Sequence, residues 1–221
     1  MLNAVIFDFD GIIVDSEPMH YEAFQRALKP YDIAYTWEEY CEIYIGFDDR
    51  DAFKEAFTGA GKKLCSRDLK CLIREKALFF QQSIREGNAT PLPGAVELIK
   101  SIPRKLPIAL CSGALKEDIL PIIESLGIAQ AFSVIVTAED TKKSKPDPAP
   151  YKLAIEKLAL DDPATAIAIE DTPVGIVSAK GAGLKVLAVT NSYDREYLLE
   201  ADAVTDSLEN VDRPSLEDLV L

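Results

Sequence analysis

The sequence predicts an α/β protein, a doubly wound parallel sheet interrupted by an all-helical insertion. Three observations predict it. Residues 95–204 alternate short apolar, β-branched runs with stretches of helical spacing. A matching buried strand, Val5-Ile6-Phe7, stands far from them near the start of the chain. Between the two, residues 16–90 show helical periodicity and no strand pattern. Residues 1–15 and 91–221 therefore read as one Rossmann-like core, and residues 16–90 as a helical cap. An insert leaving just after the first strand is expected to hang over the strand ends as a lid.

Each element has its own signal. The first strand stops at Asp8-Phe9-Asp10-Gly11, and a second apolar run, Ile12-Ile13-Val14, precedes Asp15-Ser16-Glu17. Met19, Ala23, Phe24, Ala27 and Leu28 predict a helix over 19–29, with Pro18 near its first turn. Trp37, Tyr40, Cys41, Tyr44 and Ile45 predict a second helix ending near Gly46. Asp48 or Asp49 is expected to cap a third, running to about Phe57, and Ser66 a long fourth, to about Arg85. Leu69, Leu72, Ile73, Lys76, Ala77 and Phe80 share one side of it. Thr90-Pro91-Leu92-Pro93-Gly94 is strong punctuation. Beyond it, helices over 95–101, 115–125, 149–159 and 174–182 alternate with strands over 107–111, 134–136, 166–169 and 186–189. A short strand at 203–204 and a helix near 215–220 complete the pattern.

Composition narrows the function. A net charge of −13 disfavours nonspecific nucleic-acid binding and attachment to an anionic membrane surface. No apolar run reaches membrane-spanning length. Cys41, Cys65, Cys71 and Cys111 form no C-x-x-C pair, and His20 is the single histidine, so a Cys/His zinc site is not expected. Few, unpatterned cysteines suit a reducing compartment. A strand so near the N-terminus leaves no room for a signal peptide, and a cytoplasmic protein, a monomer or weak homodimer, is expected.

Four strand-end motifs carry the chemistry. Asp8 and Asp10 end the first strand, where an open α/β sheet places its ligands. If that strand persists, alternation puts both on one side of the pleat. Two carboxylates so close repel unless a cation or a shared proton holds them, and Mg2+ is the hard, oxygen-seeking candidate. Ser112 follows the strand at 107–111 beside Gly113, where a hydroxyl can bind a phosphoryl oxygen or simply serve a turn. Lys145 lies in Lys145-Pro146-Asp147-Pro148, presented from a stiffened loop. Glu170 and Asp171 end the strand at 166–169, where they can complete an oxygen cage or cap the next helix.

Taken in order, D-x-D-G-x-x-x-D-S, the strand-end Ser112, K-P-D-P and Glu170-Asp171 resemble the haloacid dehalogenase superfamily. The likeness is greatest to the subfamily with a small helical cap, which includes β-phosphoglucomutase and many small phosphatases. That resemblance implies a Mg2+-dependent phosphatase of a small phosphorylated metabolite, working through an aspartyl-phosphate. Asp8 would be the nucleophile and Asp10 the general acid and base. Ser112 and Lys145 would bind the phosphoryl oxygens. Mg2+ would be held by Asp8, the Asp10 backbone carbonyl and Asp171, with Glu170 as ligand or water partner. A sugar phosphomutase is the alternative. It also implies that His20, Gly46, Arg50 and Lys76 fall where related caps touch substrate. Arg50 and Lys76 read equally well as exposed helix charge, and His20 as a hinge or packing residue. Trp37, Tyr40 and Tyr44 read as cap core. A dehalogenase, whose carbon chemistry needs no metal, is disfavoured by Asp10, Glu170 and Asp171. A receiver-type signalling domain has no place for the insert, and a non-catalytic binder need not keep every reactive group.

Overall fold

The computed structural model describes residues 1–45, 47, 49–87 and 89–221. Eight strands occur among them: β1 Ala4–Phe7, β2 Val14–Asp15, β3 Thr90–Pro91, β4 Ile108–Cys111, β5 Phe132–Val136, β6 Ala166–Glu170, β7 Lys185–Val189 and β8 Ala203–Thr205. The helices are α1 Glu17–Leu28, α2 Trp37–Glu39, α3 Asp49–Gly59, α4 Ser66–Arg85, α5 Ala95–Ser101, α6 Lys116–Ser125, α7 Ala149–Lys157, α8 Pro173–Gly181 and α9 Arg213–Asp218. The chain divides into two compact units, Met1–Asp15 with Thr90–Leu221, and Ser16–Ala89.

The first unit is a six-stranded parallel sheet in the order β5-β4-β1-β6-β7-β8. Strands β1, β4 and β6 are buried along their whole length, which is why they read as unbroken apolar runs. β1 is the switch point: the chain moves one way to β4 and β5, then back past β1 to β6, β7 and β8. The crevice beyond β1, β4 and β6 is where such a sheet binds ligands. Ile6, Ala109, Val136, Ile155, Ala168 and Ile176 pack in the core beneath it.

Four local expectations are corrected. β1 does not persist to Asp10. The N–H groups of Ile12, Ile13 and Val14 all donate to the Phe9 carbonyl, wrapping the chain into a turn, so pleat alternation does not relate Asp8 to Asp10. Thr90 and Pro91 are not mere punctuation: they pair antiparallel with Asp15 and Val14. Ser66 does not cap α4; the Cys65 Sγ does, accepting from the Asp68 N–H. The helix expected from Trp37 onward is α-helical only to Glu39 and continues as a π-turn over Tyr40–Tyr44.

The second unit packs Phe24, Leu28, Phe53, Phe57 and Leu72 around Tyr40 and Tyr44. Trp37, expected in this core, stays 38% exposed, with its ring on Tyr40. Among the described residues no helix is long and apolar enough to cross a membrane.

Candidate active site

The residues at the sheet's switch point are set by short, local devices. The Asp8 N–H donates to the Ile169 carbonyl at 3.0 Å, fixing the end of β1 against β6. Gly11 follows with φ +74, and a Cβ there would fall 1.9 Å from Asp171 Oδ2. The turn thus needs glycine both for its conformation and for its closeness to Asp171. Past β4, the Ser112 N–H donates to the Val136 carbonyl and its buried Oγ accepts from the Ala114 N–H at 2.9 Å. Thr172 caps α8 by accepting from the Gly175 N–H. Gly175 has no side chain for a reason: a Cβ would lie 1.9 Å from a Glu170 carboxylate oxygen.

Lys145 draws the segments together. Its Nζ is 2.8 Å from Asp8 Oδ1 and 2.7 Å from Glu170 Oε1. The fully buried Tyr151 donates to the same Glu170 oxygen at 2.6 Å, and its ring centroid lies 5.1 Å from the Lys145 ammonium. The Asp171 N–H and the Thr172 hydroxyl both donate to Glu170 Oε2 at 3.3 Å. Ser192 donates to Asp171 Oδ2. Asp171 Oδ1 is buried with no hydrogen-bond partner among the described residues.

The electrostatics are lopsided. Burial, then the Glu170 charge, raises the Asp8 carboxyl to about 7, with Asp10 adding to the push and Lys145 opposing it. Burial, Asp8 and Glu170 hold Asp171 well above the usual carboxylate range. Burial works against the Lys145 charge, but Asp8 and Glu170 override it and raise its pKa. Three buried carboxylates therefore share one ammonium. Their oxygens lie within 4.8 Å of one another. An all-oxygen donor set, an orphaned buried carboxylate oxygen and an excess of acid groups over cations fit a hard divalent cation. The Asp10 carboxylate is not part of that trio.

Comparison with known proteins decides the family. The model for haloacid dehalogenase-like hydrolases matches residues 5–189. The chain belongs to this family. It is thus an enzyme of the hydrolase class, and its parallel sheet is the family's Rossmann-like core. A phosphorylated carbohydrates phosphatase of Thermotoga maritima is 31% identical over 209 residues, 92% of this chain and 93% of that protein. A validoxylamine A 7'-phosphate phosphatase of Streptomyces hygroscopicus is 29% identical over 98% of this chain and 99% of its own length. A solved β-phosphoglucomutase from Clostridium difficile superposes with a TM-score of 0.84 at 26% identity, covering 100% of this chain and 97% of the other.

Of the residues singled out in the sequence of this family member, Asp8, Lys145, Glu170 and Asp171 meet directly. Asp10 acts on Asp8 through its charge, and Ser112 follows β4 at the same sheet edge. His20, Arg50 and Lys76 belong to the helical unit. Arg50 is exposed at the start of α3; Lys76 is buried rather than a solvated helix charge. Gly46 lies outside the described residues. Sequence reasoning missed Tyr151, Asn191 and Ser192. Tyr151 is one large residue on an ordinary α7 face. Asn191 and Ser192 sit in a loop whose composition signals only a turn.

Proposed function

We propose that this enzyme is a Mg2+-dependent phosphatase of a small phosphorylated carbohydrate, acting through an aspartyl-phosphate on Asp8. The observation that carries the reading is Asp8 held by Lys145 at 2.8 Å beside two further buried acids. Lys145 favours the ionised form of Asp8 against its burial, and a carboxylate in that form needs no separate base to act as nucleophile. Its oxygen forms the new P–O bond as the ester P–O bond breaks, and Asp10 gives its proton to the departing alcohol. Asp10 then takes a proton from water as that water attacks phosphorus, freeing orthophosphate and restoring Asp8. Lys145 and the Ser112 hydroxyl bind the phosphoryl oxygens, and Glu170, braced by Tyr151, keeps Lys145 in place. Asp8, the Asp10 carbonyl and Asp171 would hold the cation, with Glu170 alongside; bound there, it neutralises charge on the phosphoryl group. Substrate choice we assign to the helical unit as cap, with His20, Gly46, Arg50 and Lys76 as its candidate contacts. The four free cysteines suit a reducing, cytoplasmic setting.

The test is orthophosphate release from a panel of sugar phosphates, nucleotides, phosphoglycolate and pyrophosphate, with and without chelator. Asp8→Asn is expected to lower turnover by roughly a thousandfold or more. Undiminished activity in that variant, or after thorough chelation, overturns the reading. The likeness to β-phosphoglucomutase supports a second reading, in which the phosphoryl group passes to another substrate hydroxyl. Activation by a sugar bisphosphate without net phosphate release would select it.

A further inference from the structure

Asp171 has two carboxylate oxygens with different fates. Oδ2 accepts from the Ser192 hydroxyl, while Oδ1 is buried and takes no hydrogen bond from the described residues. Ser192 comes from the loop after β7, the strand that pairs with β6. Its neighbour Asn191 donates from Nδ2 to the Gly11 carbonyl at 2.7 Å. Two consecutive residues thus grip two separate parts of the site, the turn after β1 and the acid after β6. Gly11 completes the contact, since a Cβ there would come 1.9 Å from Asp171 Oδ2 and 2.9 Å from the Ser192 Oγ.

We propose that Ser192 and Asn191 are positioning residues for the divalent-cation site: Ser192 pins one oxygen of Asp171 so that the other is presented to the ion, and Asn191 anchors the loop that carries Ser192. The inference rests on the divalent-cation reading above. A carboxylate turns readily about its last torsion, and a donor fixed on one oxygen removes that freedom before the ion arrives. Neither residue touches substrate in this scheme. Both act through Asp171 and the backbone at Gly11.

The experiment measures Mn2+ binding to the metal-free protein, by calorimetry and by electron paramagnetic resonance of the free ion, with no substrate present. Ser192→Ala is expected to raise the Mn2+ Kd about 10- to 100-fold, the usual penalty for losing a partner of a metal ligand. Asn191→Ala should raise it less, and Ser192→Thr, which keeps the hydroxyl, should restore tight binding. If Ser192→Ala does not fold, Ser192→Cys, with a weaker donor of similar size, is read on the same scale. An unchanged Kd in the alanine or cysteine variant, with normal binding by the wild type, overturns this inference and leaves the phosphatase reading intact. Failure of the wild-type protein to bind Mn2+ or Mg2+ overturns the cation reading itself.

Discussion

Lys76 in the helical unit and Lys145 in the sheet unit both hold an ammonium largely out of water, and the two are solved differently. Lys76, on α4, donates to Asp49 at 2.7 Å and to His20 Nδ1 at 2.8 Å. Its ammonium lies 4.8 Å from the Phe24 ring centroid and 5.3 Å from that of Phe80, and His20 stacks on Phe80. Burial, then the Lys76 charge, pushes the His20 pKa well below its ordinary value, so the imidazole stays neutral and accepts. One cation meets one anion, and the cluster is electrically closed. Lys145 also lies over an aromatic ring, but it faces Asp8 and Glu170 with Asp171 close behind. That cluster is open, with three acid groups beside one ammonium. A closed cluster ties helices α1, α3 and α4 together. An open one holds more acid groups than cations, and such unbalanced groups mark functional sites.

The contrast can be broken by removing each lysine in turn. Lys145→Met should lower phosphate release by about a hundredfold or more, because a charge-stabilising donor is lost and two acids are left unpaired. Lys76→Met should cost about 1 kcal/mol or less in urea unfolding, since the Asp49 side chain is 31% exposed and can turn to water. Equal losses of stability in the two variants would erase the distinction.

A smaller effect sharpens it from the packing side. Gly175→Ala sets a methyl against Glu170 and should cost about 1–3 kcal/mol while loosening the Glu170–Lys145 pair. An Ala variant with wild-type stability and turnover would show that the Glu170 carboxylate is free to move.

The smallest effect is a slope. Asp8 sits at about 7 in the fold against 3.8 ordinarily, so between these values the folded chain binds more protons than the unfolded one. In chelator, stability is therefore fullest below pH 4 for this group and falls as pH rises through 7, by at most ~1.4 kcal/mol per pH unit. Saturating Mg2+ should flatten the slope, because the ion favours the ionised carboxylate. Melting curves at pH 5, 6, 7 and 8, with and without Mg2+, check it; a slope of the opposite sign contradicts the burial of Asp8.

Much of this was legible beforehand, for identifiable reasons. Buried parallel strands are apolar throughout, so Val5–Phe7, Ile108–Cys111 and Ala166–Ile169 announce themselves. Asp8, Ser112, Glu170 and Asp171 stand out because a polar residue directly after such a run is where a parallel sheet keeps its ligands. The burial of Lys76 was not legible, because a lysine among Leu72 and Phe80 looks the same whether it snorkels to water or meets Asp49 from another helix. The early end of β1 was equally hidden: three N–H groups converging on the Phe9 carbonyl leave no compositional trace.

By itself, then, the sequence determined the six main strands and most helices, and that three strand ends carry acids and a hydroxyl while a stiff loop carries a lysine. Those are properties of periodicity and of local backbone preference, readable one window at a time. Only the tertiary structure decided the strand order that makes β1 the switch point, the sharing of Lys145 between Asp8 and Glu170, and the grip of Ser192 on a single oxygen of Asp171. Each depends on backbone or side-chain groups more than twenty residues apart coming into hydrogen-bonding range, and contact at that range is fixed by packing of the whole core rather than by any stretch of chain.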